Sequence, residues 1–147
     1  MQNKPGSHVI VGVDGSPASV EALIQGQRLA AALGTEVHAL ACWESPQMQD
    51  GYLAMGIGGF QERAEQILAE AVRAAFGTQH PSNLRTRLVN GGARQILLDA
   101  STDASMLVVG RRGHGGFGGL LLGSVSSACV AHADCPVLVV HTPKSNT

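Results

Sequence analysis

The most constraining feature of this chain is a rhythm: five short apolar runs with four stretches of helical periodicity between them. The runs are His8 to Val13, Glu36 to Trp43, Leu84 to Val89, Met106 to Gly110 and Pro136 to His141. Four are continuous, as in parallel strands buried on both faces. Leu84-Arg85-Thr86-Arg87-Leu88-Val89 instead alternates charged with apolar residues, which predicts an edge strand. Ser16 and Pro17 suit a helix cap and first position, and Ala22, Gly26, Leu29, Ala30 and Leu33 then share a face until Gly34. A second helix turns Phe60, Ala64, Ile67, Leu68, Ala71 and Ala75 inward; a third uses Ala93, Ile96, Leu97 and Ala100. A fourth starts near Ser124, with Val125, Ala128, Cys129 and His132 on one face. Strict βαβ alternation of this kind requires right-handed crossovers, hence an α/β fold with a parallel sheet and helices on both faces.

At 147 residues the expectation is one domain over residues 1–147, with its core in 8–141 and a flexible loop at 45–59. That loop holds Met48, Tyr52, Met55 and four glycines without periodicity, as disordered segments and ligand-covering lids both do. A formal charge of −1 argues against blanket binding of nucleic acid phosphates. The three cysteines form no CxxC pair and read as small buried hydrophobes in a reducing compartment. The apolar run from Val9 to Val13 is too short for a signal peptide, no stretch is long enough to span a membrane, and a cytoplasmic location is expected.

With 19 glycines against 3% aromatics, the information lies in the glycines. The richest stretch runs from Gly110 to Gly123, between the fourth strand and the last helix. A loop there sits at the carboxyl edge of the sheet, where open α/β sheets bind ligands, and opens onto a helix N-terminus that favours anions. Phosphate is the natural guest: Gly110, Gly113 and Gly123 permit close backbone approach, Ser124 adds a hydroxyl while capping the helix, and Arg111 and Arg112 supply charge. A Walker-type loop is excluded, because the only lysines are Lys4 and Lys144. Gly113, Gly115 and Gly118 spell GxGxxG too far upstream of the helix to form its opening turn. The six histidines show neither HxxxH spacing nor a Cys/His cluster, and only His114 falls near the expected phosphates.

The spacing Gly110-x2-Gly113-x9-Gly123-Ser124 resembles the nucleotide-binding signature of the universal stress proteins. The likeness extends to Val9-Ile10-Val11-Gly12-Val13-Asp14-Gly15-Ser16 and to Cys135-Pro136-Val137-Leu138-Val139-Val140. It implies a single doubly wound, Rossmann-like five-stranded sheet of order 3-2-1-4-5, which sets the ends of strands one and four side by side. It further implies ATP as ligand, with Mg²⁺ carried by the phosphates and Asp14 as its candidate protein contact. The candidate nucleotide-binding residues are then Val13, Asp14, Cys42, Val109, Gly110, Arg112, Gly113, Gly123, Ser124, Val125 and Ser126. Arg111, where a smaller residue is common, and the glycines at 118 and 119 depart from the pattern.

No catalytic residue is assigned, since the chain offers no second metal-binding carboxylate and no charge-neutralising lysine beside Asp14. ATP as a regulatory ligand is therefore expected, with a slow Mg²⁺-dependent ATPase or phosphoryl donor, and a nucleotide-independent stress dimer, as rivals. AMP and cyclic AMP would use the same loop. The last strand, Pro136 to His141, would be an apolar sheet edge, and the resemblance implies a homodimer through it.

Overall fold

The computed structural model describes residues 8–44, 56–111 and 122–142. Its elements follow the order β1 (His8–Gly12), α1 (Pro17–Ala32), β2 (Glu36–Trp43), α2 (Gly56–Phe76), β3 (Leu84–Asn90), α3 (Ala93–Ala100), a 3-10 turn (Ser101–Asp103), β4 (Met106–Gly110), α4 (Ser124–His132) and β5 (Val137–Val140). The strands form one parallel sheet in the order β3-β2-β1-β4-β5, with register His8 to Glu36 between β1 and β2 and Val9 to Met106 between β1 and β4. The fold is thus the doubly wound, Rossmann-like one, and the reversal of strand order lies between β1 and β4.

Period-two alternation divides the core into two layers. Val9, Val11, Val37, Ala39 and Val108 face α1 and α2, where Ala22, Leu23, Ala30, Leu68, Ala71 and Val72 meet them. Ile10, Leu40, Leu107 and Val109 face the other way, against Leu97 of α3 and Cys129 of α4. Strands β1 and β4 are buried on both faces, which is why their sequences are unbroken apolar runs. Gly26 lets α1 lie close to the sheet: a Cβ there would stand 2.5 Å from Val11 Cγ2.

Helix α1 begins as the sequence indicates, with Ser16 at the N-cap accepting from the Ser19 N–H and Pro17 in the first turn. Its inward face is rotated toward Leu23, while Leu33 is 58% exposed. Leu33 is the C-cap, and Gly34 at φ +71° then turns the chain away from the core. Helix α2 starts at Gly56, so 56–59 are helical where a loop was expected; residues 45–55 lie outside the described ones. In α4 the inward positions are Ser126, Ala128 and Cys129, and His132 is exposed where the chain leaves the helix.

Candidate nucleotide site

The carboxyl ends of β1 and β4 receive two helix N-termini. Beyond β1, the Val13 N–H donates to the Leu40 carbonyl at 2.9 Å, and the chain turns at Asp14. Asp14 Oδ1 accepts from the Ser16 N–H at 2.9 Å, an Asx-turn that leaves the aspartate side chain at the exposed mouth of the switch point. Ser16 and Ser19, both buried, close the first turn of α1: the Ser19 N–H reaches Ser16 Oγ at 3.2 Å, and Ser19 Oγ donates to the Ser16 carbonyl at 3.0 Å.

Gly110, the last residue of β4, is the meeting point of α1 and α4. A Cβ on Gly110 would lie 2.7 Å from Ala18 Cβ in the first turn of α1. From the other side, the buried Ser126 hydroxyl in the first turn of α4 donates to the Gly110 carbonyl. The next residue, Arg111, donates its N–H to the Val140 carbonyl at 2.7 Å and accepts at its own carbonyl from Gly123 at 2.8 Å. Arg111 and Gly123 therefore bring both ends of the glycine-rich segment to one place. The Arg111 guanidinium lies 3.3 Å from His141 Nδ1, just past β5.

The N-cap of α4 is Gly123, and no side chain among the described residues caps the helix. Ser124 was expected to cap; it is instead the first helical residue, with its side chain exposed, because the extended conformation falls one residue earlier, at Gly123. The N–H groups of Ser124, Val125 and Ser126 consequently have no acceptor within the helix, and they carry the positive end of its dipole. Such an end accepts a phosphate without further machinery.

Of the candidate residues, Val13, Asp14, Val109, Gly110, Gly123, Ser124, Val125 and Ser126 are gathered around the ends of β1 and β4. Arg112 and Gly113 lie outside the described residues. Val13 is 6% exposed with its side chain in the α1/α2 layer, and Val109 is 4% exposed in the α3/α4 layer. Both therefore offer a ligand main chain rather than side chain. The Ser126 hydroxyl is engaged with Gly110, so its backbone N–H is what a phosphate would meet. Cys42 stands half-buried at the end of β2, where burial and the Glu44 carboxylate push its thiol up to about 11. A thiol so raised is a poor nucleophile near neutral pH. Ala18 is the neighbour of the candidate site that sequence reasoning missed: it is an ordinary helical alanine until the β1–β4 pairing brings Gly110 against it.

The universal stress protein family model matches residues 7–141. The chain belongs to the universal stress protein family. A universal stress protein of Mycobacterium tuberculosis, Rv2623, is 33% identical over 147 residues, covering 93% of this chain and 48% of its own length. This universal stress protein thus spans about half the length of the curated relatives it matches. Among solved structures, UspA of Lactobacillus plantarum aligns with a TM-score of 0.74 at 21% identity, covering 95% of this chain and 99% of that one. A universal stress protein in complex with cAMP aligns at 0.65 with 24% identity, over 95% and 100% of the two chains. The Archaeoglobus fulgidus protein in complex with dAMP aligns at 0.55 with 17% identity, over 92% and 98%. At these identities the structural matches establish the fold, including the position of its switch point.

Proposed function

We propose that this universal stress protein binds ATP as a regulatory ligand rather than as a fuel. The observation that carries the reading is the uncapped N-terminus of α4, set beside the N-terminus of α1 around Gly110. In this reading the phosphates lie against the backbone N–H groups of Ser124, Val125 and Ser126 and against Gly123. The adenine and ribose lie toward Val13, Cys42, Val109 and Gly110, and Asp14 stands at the mouth. Two relatives of the same fold, solved with cAMP and with dAMP, support an adenine nucleotide as the class of ligand.

The site supplies anion binding and positioning, and Mg²⁺ would enter with the phosphates, with Asp14 the carboxylate able to meet it. Phosphoryl transfer at speed needs more positive charge and a positioned base than these residues provide, so hydrolysis is slow. The proposed protein is a cytoplasmic homodimer. Strand β5 pairs only with β4 among the described residues, and Leu138 on that edge is 36% exposed, so an antiparallel two-fold mate would cover both. Residues 1–147 act as one domain, in which the nucleotide would favour the conformation that binds it better.

Purification without added nucleotide, denaturation and mass spectrometry of the released small molecules test the reading. ATP in stoichiometric amount is the expected result. Another adenine nucleotide would change the signal sensed, and an empty protein that fails to bind added ATP in calorimetry would overturn the reading.

A further inference from the structure

The end of the sheet opposite Gly110 carries a cluster that the nucleotide reading does not use. Register sets His8 of β1 beside Glu36 of β2, and His38 of β2 beside Arg85 of β3, all on the sheet face that farther along packs against α3 and α4. The rings of His8 and His38 are stacked, with centroids 4.3 Å apart and planes inclined by 18°. His38 Nε2 lies 3.0 Å from Glu36 Oε1, and the other Glu36 oxygen accepts from Arg85 Nη2 at 2.9 Å. His38 Nδ1 is buried with no hydrogen-bond partner among the described residues. An open groove of about 970 Å³ runs along the cluster, from His8, Glu36 and His38 to Gln27 and Gly34 at the end of α1 and to Asn83 before β3.

This packing suits a neutral His8 ring. Burial, foremost, then the facing His38 ring and the Arg87 guanidinium of β3 make His8 harder to protonate than an ordinary histidine, outweighing Asp103 of the 3-10 turn and Glu36. The hydrogen bond from His38, aided by Arg85, holds the Glu36 carboxyl below the usual range, so Glu36 stays ionised in mild acid. Because Glu36 already serves both His38 and Arg85, a proton arriving on His8 adds a cation to a stack whose other ring is in contact across 4.3 Å.

We propose that the His8–His38 stack is an acid-released joint: with His8 neutral it ties the amino-terminal ends of β1 and β2 together, and protonation of His8 in mild acid loosens that end of the sheet and opens the adjoining groove while the Gly110 end stays paired. The sign follows from linkage. The unfolded or opened chain binds protons at His8 more readily than the closed one, so the joint's contribution is complete above the ordinary histidine range and is lost as pH falls from there. One additional proton taken up on opening raises the opening constant by up to about tenfold per pH unit.

Three amides report the two ends of the sheet. The Ser105 N–H donates to the His8 carbonyl at 2.8 Å and the Val37 N–H to the Asn83 carbonyl at 2.9 Å, both beside the joint, whereas the Val13 N–H donates to Leu40 at the far end. Amide hydrogen exchange, corrected for the intrinsic rate, is measured between about pH 7.5 and 5.5 in the parent chain and in His8→Phe, which keeps a stacking ring without a titrating group. The expected result is a several-fold loss of protection at Ser105 and Val37 in the parent, with Val13 unchanged and the loss abolished by H8F. An equal loss at Val13, no loss in the parent, or the same loss in H8F would overturn the proposal. Should H8F not fold, the NMR titration of the His8 ring in the parent decides: a midpoint below that of a free imidazole side chain supports the joint, and one at or above it overturns the joint.

Discussion

Gly110 and Ala18 are packed so closely that a Cβ on the glycine would stand 2.7 Å from the Ala18 Cβ and 3.0 Å from the Ala18 carbonyl carbon. Backbone on one side and a short, inflexible side chain on the other leave nothing to swing aside. Gly110→Ala is therefore expected to destabilise the protein by about 1–3 kcal/mol through overpacking, and to weaken ATP binding by displacing α1 from the end of β4. Urea denaturation and calorimetry read the two effects. Adding Ala18→Gly should recover part of both, because the two sites share one contact.

Asp14 closes a turn and is proposed to meet the nucleotide, and substitution separates the two. Its Oδ1 accepts from the Ser16 N–H at 2.9 Å, and an asparagine oxygen can do the same. Asp14→Asn should leave the unfolding midpoint nearly unchanged while lowering affinity for Mg·ATP; Asp14→Ala should lose about 1 kcal/mol of stability as well. Thermal unfolding alongside titration with ATP, with and without Mg²⁺, distinguishes them.

Ser126 holds the first turn of α4 on the end of β4 through its hydroxyl and the Gly110 carbonyl. Ser126→Ala removes the donor from a residue only 4% exposed, at an expected cost of about 1–2 kcal/mol in chemical denaturation. Affinity for ATP should fall too, since the uncapped N–H groups of α4 would no longer be held in place.

Cys42 should be inert. With its thiol pushed up to about 11 by burial and Glu44, its reaction with a thiol reagent near pH 8 should be about a hundredfold slower than in the unfolded chain. Glu44→Gln should speed it modestly. The raised folded value also means that this group's contribution is present below the unfolded thiol's pKa and is lost as pH rises from there toward 11, which a denaturation series in alkaline buffer checks.

Strand β1, helix α1 with its Ser16 cap, strand β4 and the alternation of the whole chain were legible in the sequence because each is encoded by near neighbours. An unbroken apolar run marks a strand covered on both faces, and a Ser-Pro start with small residues at helical spacing marks a helix beneath a sheet. The charges at Arg85 and Arg87 likewise marked β3 as an edge. The order of the strands came from the resemblance to universal stress proteins, not from periodicity, which is blind to which strand lies beside which. The alternation and the glycine spacing pointed to the sheet edge of the candidate site, but Leu33 and His132 were assigned to buried faces that the ends of α1 and α4 do not extend far enough to provide.

What tertiary structure alone decided are the meetings between residues far apart in the chain. Gly110 against Ala18, Ser126 on Gly110 and the stack of His8 on His38 all depend on strand order and on register, and a slip of one residue along β1 or β2 would put His8 and His38 on opposite faces of the sheet. Register is set by the packing of two whole core layers at once, so no local stretch contains it. The sequence by itself determined the elements and the edge at which a ligand could sit; the closed sheet decided which groups stand together there, and at its other end.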